Sequence, residues 1–236
     1  MPRFQDIPQF TRNAPYGVDI SWDYLARHYM REVIDYGLDV NPDFQRDYVW
    51  TPEQKVRYVE FVLQGGMTGK DLYLNCPGHK FGRVGPNYGA EGYYVLVDGK
   101  QRLDAVLGFM NDEFPIFGGN FRRDYPDNPH ILTARFHWNV NDLATREEVL
   151  QWYIDLNAGG TVHRPEEIDR VRVLKAEGKP FDIPSHDDRM AQAGVDREII
   201  QAALREERKQ EEESRARAAL REAEEAAKPK RKARRK

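Results

Sequence analysis

One cysteine, Cys76, is all the chain contains, which excludes an internal disulfide and a cysteine-rich zinc site. No apolar run approaches the roughly 18 residues that a membrane-spanning helix needs, and the first residues carry no signal-peptide pattern. A cytoplasmic, soluble protein is the resulting expectation. His130, His137 and His163 are scattered without the i, i+4 or HExxH spacing of a zinc site, so they are read as non-ligands. Positive charge is scarce over the first 204 residues, where Asp and Glu exceed Lys and Arg by 8, while residues 205–236 hold 13 Lys or Arg against 8 Asp or Glu. Such an acidic body cannot hold nucleic acid over its whole surface, so a DNA contact has to sit in a local patch or in the basic end.

What is present suits a folded domain with a helical appendage: 236 residues, 40 % hydrophobic and 11 % aromatic. The rest of the chain arranges itself around YYVLVDGKQRLDAVLGFM, residues 93–110. Five β-favouring residues end at Asp98-Gly99, a turn signal, and Leu103, Val106, Leu107 and Met110 then recur on one helical face. The turn between strand and helix carries Asp98, Lys100, Gln101 and Arg102, at a helix start whose free N–H groups favour an anion. These residues alone fit either an exposed polar turn or a site for a charged ligand.

Residues 1–20, with Pro2, Pro8 and Pro15, read as an extended arm, and Ser21 caps a helix carrying Trp22, Leu25, Tyr29, Val33 and Ile34. A short extended segment then enters Gln45-Arg46. Thr51 and Gln54 form a capping box with Pro52 at the first helical position, and Gly65-Gly66 ends that helix. A strand is expected at 71–75, followed by a glycine-rich loop at 77–92, a lid or hairpin whose GHKFGRVG lacks Walker spacing. Further short strands are expected at 114–117 and at 131–139, where Leu132, Ala134, Phe136 and Trp138 alternate with polar residues. Thr145 and Glu148 box another helix with Val149, Trp152, Tyr153 and Leu156 on its apolar face. Asn157, Gly159, Gly160 and Thr161 then make a turn into a helix begun by Pro165. The core domain is expected over 21–190, a long solvated helix laced with opposite charges over 195–227, and a basic tail over 228–236. Seven of those nine tail residues, Lys228, Lys230, Arg231, Lys232, Arg234, Arg235 and Lys236, are cationic and suit nucleic-acid attachment or a solubilising end.

Three segments together carry a family resemblance. VDGKQRLDAVLGFMNDEFPIFG resembles the DGQQR segment of the ParB/sulfiredoxin-like superfamily, in the branch that includes the GmrSD-type restriction proteins, with Lys100 replacing the first Gln of that motif. Pro42, Gln45, Arg46, Tyr48 and Trp50 match the Pro-x-x-QR-x-x-W segment that accompanies it in that branch. The Asn-x-Gly-Gly-Thr at 157–161 matches a third, departing from it at His163-Arg164, where a small hydroxyl residue is common. The resemblance implies an α+β fold, a ParB/sulfiredoxin-like small mixed sheet flanked by helices, and a scaffold that holds a nucleotide polyphosphate. It implies an NTP, ATP or GTP, with Mg²⁺, and DNA as partner. Asp98, Lys100, Gln101 and Arg102 become the candidate catalytic residues, with Asp98 also the metal ligand. Gln45, Arg46, Gly99, Asn157, Gly159, Gly160 and Thr161 become the candidate nucleotide contacts. The implied activity is transfer of a terminal phosphoryl group to water or to a base in DNA. A non-catalytic specificity factor is the alternative, and a metal-dependent nuclease ranks last because no paired-carboxylate cluster stands at nuclease spacing.

Overall fold

The computed structural model describes residues 16–77, 93–125, 134–158, 165–185, 187–188 and 191. Along them run β1 (Tyr16–Ser21), α1 (Trp22–Ile34), α2 (Pro52–Leu63), β2 (Asp71–Asn75), β3 (Val95–Asp98), α3 (Lys100–Met110), β4 (Arg135–Asn141), α4 (Arg146–Ala158) and α5 (Pro165–Glu177). The four strands form one mixed sheet in the order β1-β4-β2-β3, with β4 and β2 parallel and both outer pairs antiparallel. The architecture is therefore α+β, with a four-stranded mixed sheet and five helices among the described residues.

Strand alternation decides the two faces. Ile20, Phe136, Trp138, Val140, Leu72 and Leu74 are all buried, and the register puts Ile20 opposite Phe136, Leu72 beside Trp138 and Leu74 beside Val140. Helix α1 covers this face: Trp22 packs 6.2 Å from Phe136, and the His28 ring stands edge-on to Trp138 at 4.9 Å. Truncating Phe136 to alanine there costs about 3–5 kcal/mol. On the other face Val95 and Val97 join Phe44, Val149, Trp152, Tyr153 and Val171, so α4 and α5 close the second layer. Helix α2 starts as its sequence dictates, with Thr51 Oγ1 accepting from the Gln54 N–H and Gln54 Oε1 accepting from the Thr51 N–H. Thr145 and Glu148 make the same reciprocal exchange ahead of α4.

Several local expectations change. Residues 16–20, read as part of an arm, are the edge strand β1, held by a full ladder to β4. Ser21 stands at the N-cap of α1 without a side-chain capping bond. No strand forms at 114–117, because Gly118 and Gly119 take φ of +84° and +127° and fold the segment back, leaving an isolated bridge between Ile116 and Asn120. The strand expected at 131–139 runs over 135–141 instead, and residues 131–133 lie outside the described residues. The loop at 78–92, the helix expected over 195–227 and the tail at 228–236 also lie outside them. Among the described residues no helix is long and apolar enough to cross a membrane.

Candidate functional site

Strand β3 hands over to α3 through a single residue, Gly99. Its φ of +106° is one that side-chain-bearing residues avoid, and a Cβ there would lie 2.3 Å from Leu72 Cδ2. The backbone therefore crosses β2 at close range, and α3 starts at once with first-turn N–H groups that have no intrahelical partner.

Lys100 and Gln101, both buried, are turned toward the segment before α2. Lys100 Nζ donates to Asn41 Oδ1 and, at 3.0 Å, to the Arg46 carbonyl, and it stands 4.3 Å from the centre of the Tyr48 ring. Burial pulls its pKa down, while Asp47, Asp39 and Asp104 act the other way. Gln101 Oε1 accepts from the N–H groups of Val49 and Trp50 at 3.0 and 3.1 Å, and its Nε2 donates to the Asp47 carbonyl at 2.9 Å. Gln45 Nε2 donates to the Leu96 carbonyl of β3. The QR and DGKQR segments are thus tied together by the polar atoms of three of the residues they were noted for.

Beside these latches lies an open cavity of about 370 Å³. Arg46 and Gln45 line it from one side, Asp98, Gly99, Lys100, Gln101 and Arg102 from a second, Tyr153 and Asn157 of α4 from a third, and Asp71 and Tyr73 of β2 from a fourth. Arg102 Nη2 donates to Asp98 Oδ2 at 2.8 Å and to the Asp71 carbonyl at 2.9 Å, and its buried Nε has no hydrogen-bond partner. Arg46 is half-buried, with Nη1 3.7 Å from Glu167 of α5. Asn157 Nδ2 donates back to the Tyr153 carbonyl at 2.6 Å. Burial pushes the Tyr153 phenol up to about 12 despite the opposing Arg46, so it stays a neutral hydrogen-bonding group. One residue from the third segment, Asn157, thereby joins the other two, while Gly159, Gly160 and Thr161 lie outside the described residues.

Sequence reasoning passed over several participants. Asp71 and Tyr73 looked like ordinary strand residues, although a charged residue opening a buried strand was a signal. Arg170 of α5 donates to the carbonyls of Asp43, Phe44 and Gln45 at 3.0–3.1 Å, and Arg146 Nη2 pairs with Asp43 Oδ2 at 2.7 Å. Two arginines from the C-terminal half thus brace the segment that presents Arg46. Asp39, 1 % exposed, accepts from the Asn41 N–H at 2.8 Å and from the Tyr93 hydroxyl, fixing the start of the same segment. His137 Nδ1 stands 2.5 Å from Asp19 Oδ1 across the β1–β4 pair.

This donor set fits a polyphosphate. The volume falls within the roughly 300–1,000 Å³ of small-ligand sites, two guanidiniums can take phosphate oxygens in pairs, and the α3 start adds backbone donors. Among the described residues no group of three His, Cys, Asp or Glu could hold a metal ion alone. Mg²⁺ on a nucleotide needs only one or two carboxylates, its other ligands being phosphate oxygens and water, and Asp98 and Asp71 can supply these.

The profile of the GmrSD restriction endonuclease N-terminal domain matches residues 30–235. The chain belongs to that family. Membership accounts for the GmrSD-type resemblance of the three segments. Curated relatives include proteins named L-fucose isomerase from Streptococcus pneumoniae. The one from strain P1031 is 27 % identical over 191 residues, 74 % of this chain and 30 % of the relative. The one from strain Hungary19A-6 is 29 % identical over 135 residues, 57 % of this chain and 20 % of the relative. The chain spans less than a third of the length of these relatives. No solved structure matches it.

Proposed function

We propose that this GmrSD-family chain is a nucleotide-dependent component acting on DNA, and that the cavity between Arg46 and Arg102 holds the polyphosphate of ATP or GTP. The observation that carries the reading is the convergence of two arginines from separate segments on one cavity whose walls also include Asp98, the start of α3 and Asn157. Bound there with Mg²⁺, the nucleotide supplies a transferable terminal phosphoryl group. Arg46 and Arg102 neutralise its charge, and the N–H groups opening α3 take phosphate oxygens. Asp98 either carries the metal or accepts the proton that leaves an attacking hydroxyl or water. Lys100 and Gln101 are positioning residues, since each acts through the 41–50 segment it holds. The Asn157–Tyr153 wall limits the cavity on the side of α4.

Incubation with γ-labelled ATP or GTP, Mg²⁺ and DNA, with or without hydroxymethylated pyrimidines, separates the possible acceptors. Label in DNA supports transfer to a base, label released only as phosphate supports hydrolysis, and neither product with no binding rejects the reading. A second reading, a non-catalytic nucleotide- and DNA-binding specificity factor, is favoured by the engagement of Lys100, Gln101 and Gln45 in structural bonds. It requires nucleotide binding without turnover.

A further inference from the structure

A second cavity, of about 490 Å³, opens between α1 and the sheet face formed by β1 and β4. Its lining is mostly aromatic. Trp138 and Tyr94 close it on the sheet side, joined by a 3.0 Å hydrogen bond from Trp138 Nε1 to the Tyr94 hydroxyl. Tyr24 and Tyr36 stand on the helix side, and Arg31 donates to the Tyr36 hydroxyl at 2.8 Å with its guanidinium 5.4 Å from that ring. Two titratable groups face the same space, His28 and Glu32, 3.7 Å apart on successive turns of α1. Burial, aided by Arg31, brings the His28 pKa down to about 4 and keeps the ring neutral. Burial also raises Glu32, while a hydrogen bond with Tyr94 and the charge of Arg31 pull it back.

Flat rings around a slot, with one carboxyl and one neutral imidazole inside and a cation on the exposed rim, match a planar heteroaromatic ligand attached to an anionic backbone. A lipid tail would set hydrocarbon against the Glu32 carboxyl and the buried His28 Nε2, which has no hydrogen-bond partner. An isolated sugar would have no use for so many ring faces. DNA supplies such a ligand to enzymes that take one base out of the stack, and stacking on aromatic side chains tolerates any base. A glutamate oxygen inside the slot adds selection, because it accepts from an exocyclic amine and has nothing to give a carbonyl. We infer that the α1/β4 cavity receives a single unpaired nucleobase of DNA bearing an exocyclic amine, stacked by Tyr24 and Tyr36 and read by Glu32, with Arg31 at the backbone phosphate. This site is separate from the polyphosphate cavity and stands or falls without it.

The test uses the 236-residue chain without nucleotide and a short single-stranded oligodeoxynucleotide carrying one 2-aminopurine, whose fluorescence falls on stacking. Saturable quenching is expected, and Tyr24→Ala, at an exposed rim position, should weaken binding by at least about fivefold, the low end of one base–aromatic stack. Glu32→Gln should abolish the preference for competitor strands bearing dC or dA over dT. Arg102→Ala, in the other cavity, should leave the quenching unchanged, and ATP titration of the same samples reports on that cavity independently. Absence of quenching in the wild-type chain, or quenching that Tyr24→Ala does not reduce, would overturn the inference.

Discussion

Replacing Gln101 with alanine should loosen the segment that presents Arg46 and so weaken both the fold and the proposed nucleotide site. Three hydrogen bonds vanish together, those from the Val49 and Trp50 N–H groups and that to the Asp47 carbonyl, with lengths of 2.9–3.1 Å. At about 0.5–1.5 kcal/mol net for each neutral bond the full loss would be roughly 1.5–4.5 kcal/mol. Val49 is 48 % exposed, so water replaces part of what is lost and the lower half of that range applies, about 2 kcal/mol. For a chain of this size that corresponds to a Tm lower by about 4–8 °C. Gln101→Met fills the same volume without the polar atoms, so its melting curve isolates the hydrogen bonds from the cavity that alanine leaves. Circular dichroism melts of wild type and both variants, with ATP and GTP titrations of each, make the comparison. Both variants should melt early and bind nucleotide more weakly, although Gln101 itself need not touch the ligand. A Tm within 1 °C of wild type for both, with unchanged affinity, would refute the latch.

Other consequences can be checked on the same scale. Gly99→Ala places a Cβ 2.3 Å from Leu72 Cδ2 at a φ of +106°, so strain and overpacking together should cost about 2–5 kcal/mol, measured by urea denaturation. His28 has a folded pKa near 4 against 6.5, so the unfolded chain binds the extra proton between these values. Its contribution to stability is complete above pH 6.5 and falls as the pH drops toward 4. Glu32 is shifted upward and works against that loss, so a His28→Gln variant should show a flatter, or even reversed, dependence of its urea midpoint over this interval. Removal of residues 228–236 takes away seven cations and should weaken DNA binding, reducing the log–log salt slope by up to about 6 if every cation meets a phosphate. An unchanged slope would assign the tail to solubility alone.

Elements whose instructions are local were legible in the sequence. The Thr51–Gln54 box, the Pro52 start and the Gly65 stop describe α2 within a few residues, and the run of β-favouring residues ending at Asp98-Gly99 marks the strand-to-helix passage. The polar cluster at 98–102 was legible as a cluster, but the division of labour inside it was not. Lys100 and Gln101 find their partners 51–59 residues away, so nothing adjacent announces that they hold a backbone segment as well as lining the cavity beside Arg102. The same distance hides Arg170, whose three carbonyl acceptors lie 125–127 residues earlier. Tyr153 was counted with the apolar face of its helix, which is correct for the ring and silent about the hydroxyl. At 114–117 strand propensity gave way to the two glycines that follow, because positive φ at both reverses the chain before pairing can extend.

The central claim is that DGKQR and QR form one polyphosphate site, and a crystal structure of the 236-residue chain with Mg²⁺ and a non-hydrolysable ATP or GTP analogue tests it most directly. The account predicts the triphosphate between Arg46 and Arg102, against the N-terminus of α3, with the metal on Asp98. A triphosphate bound away from both arginines would contradict it.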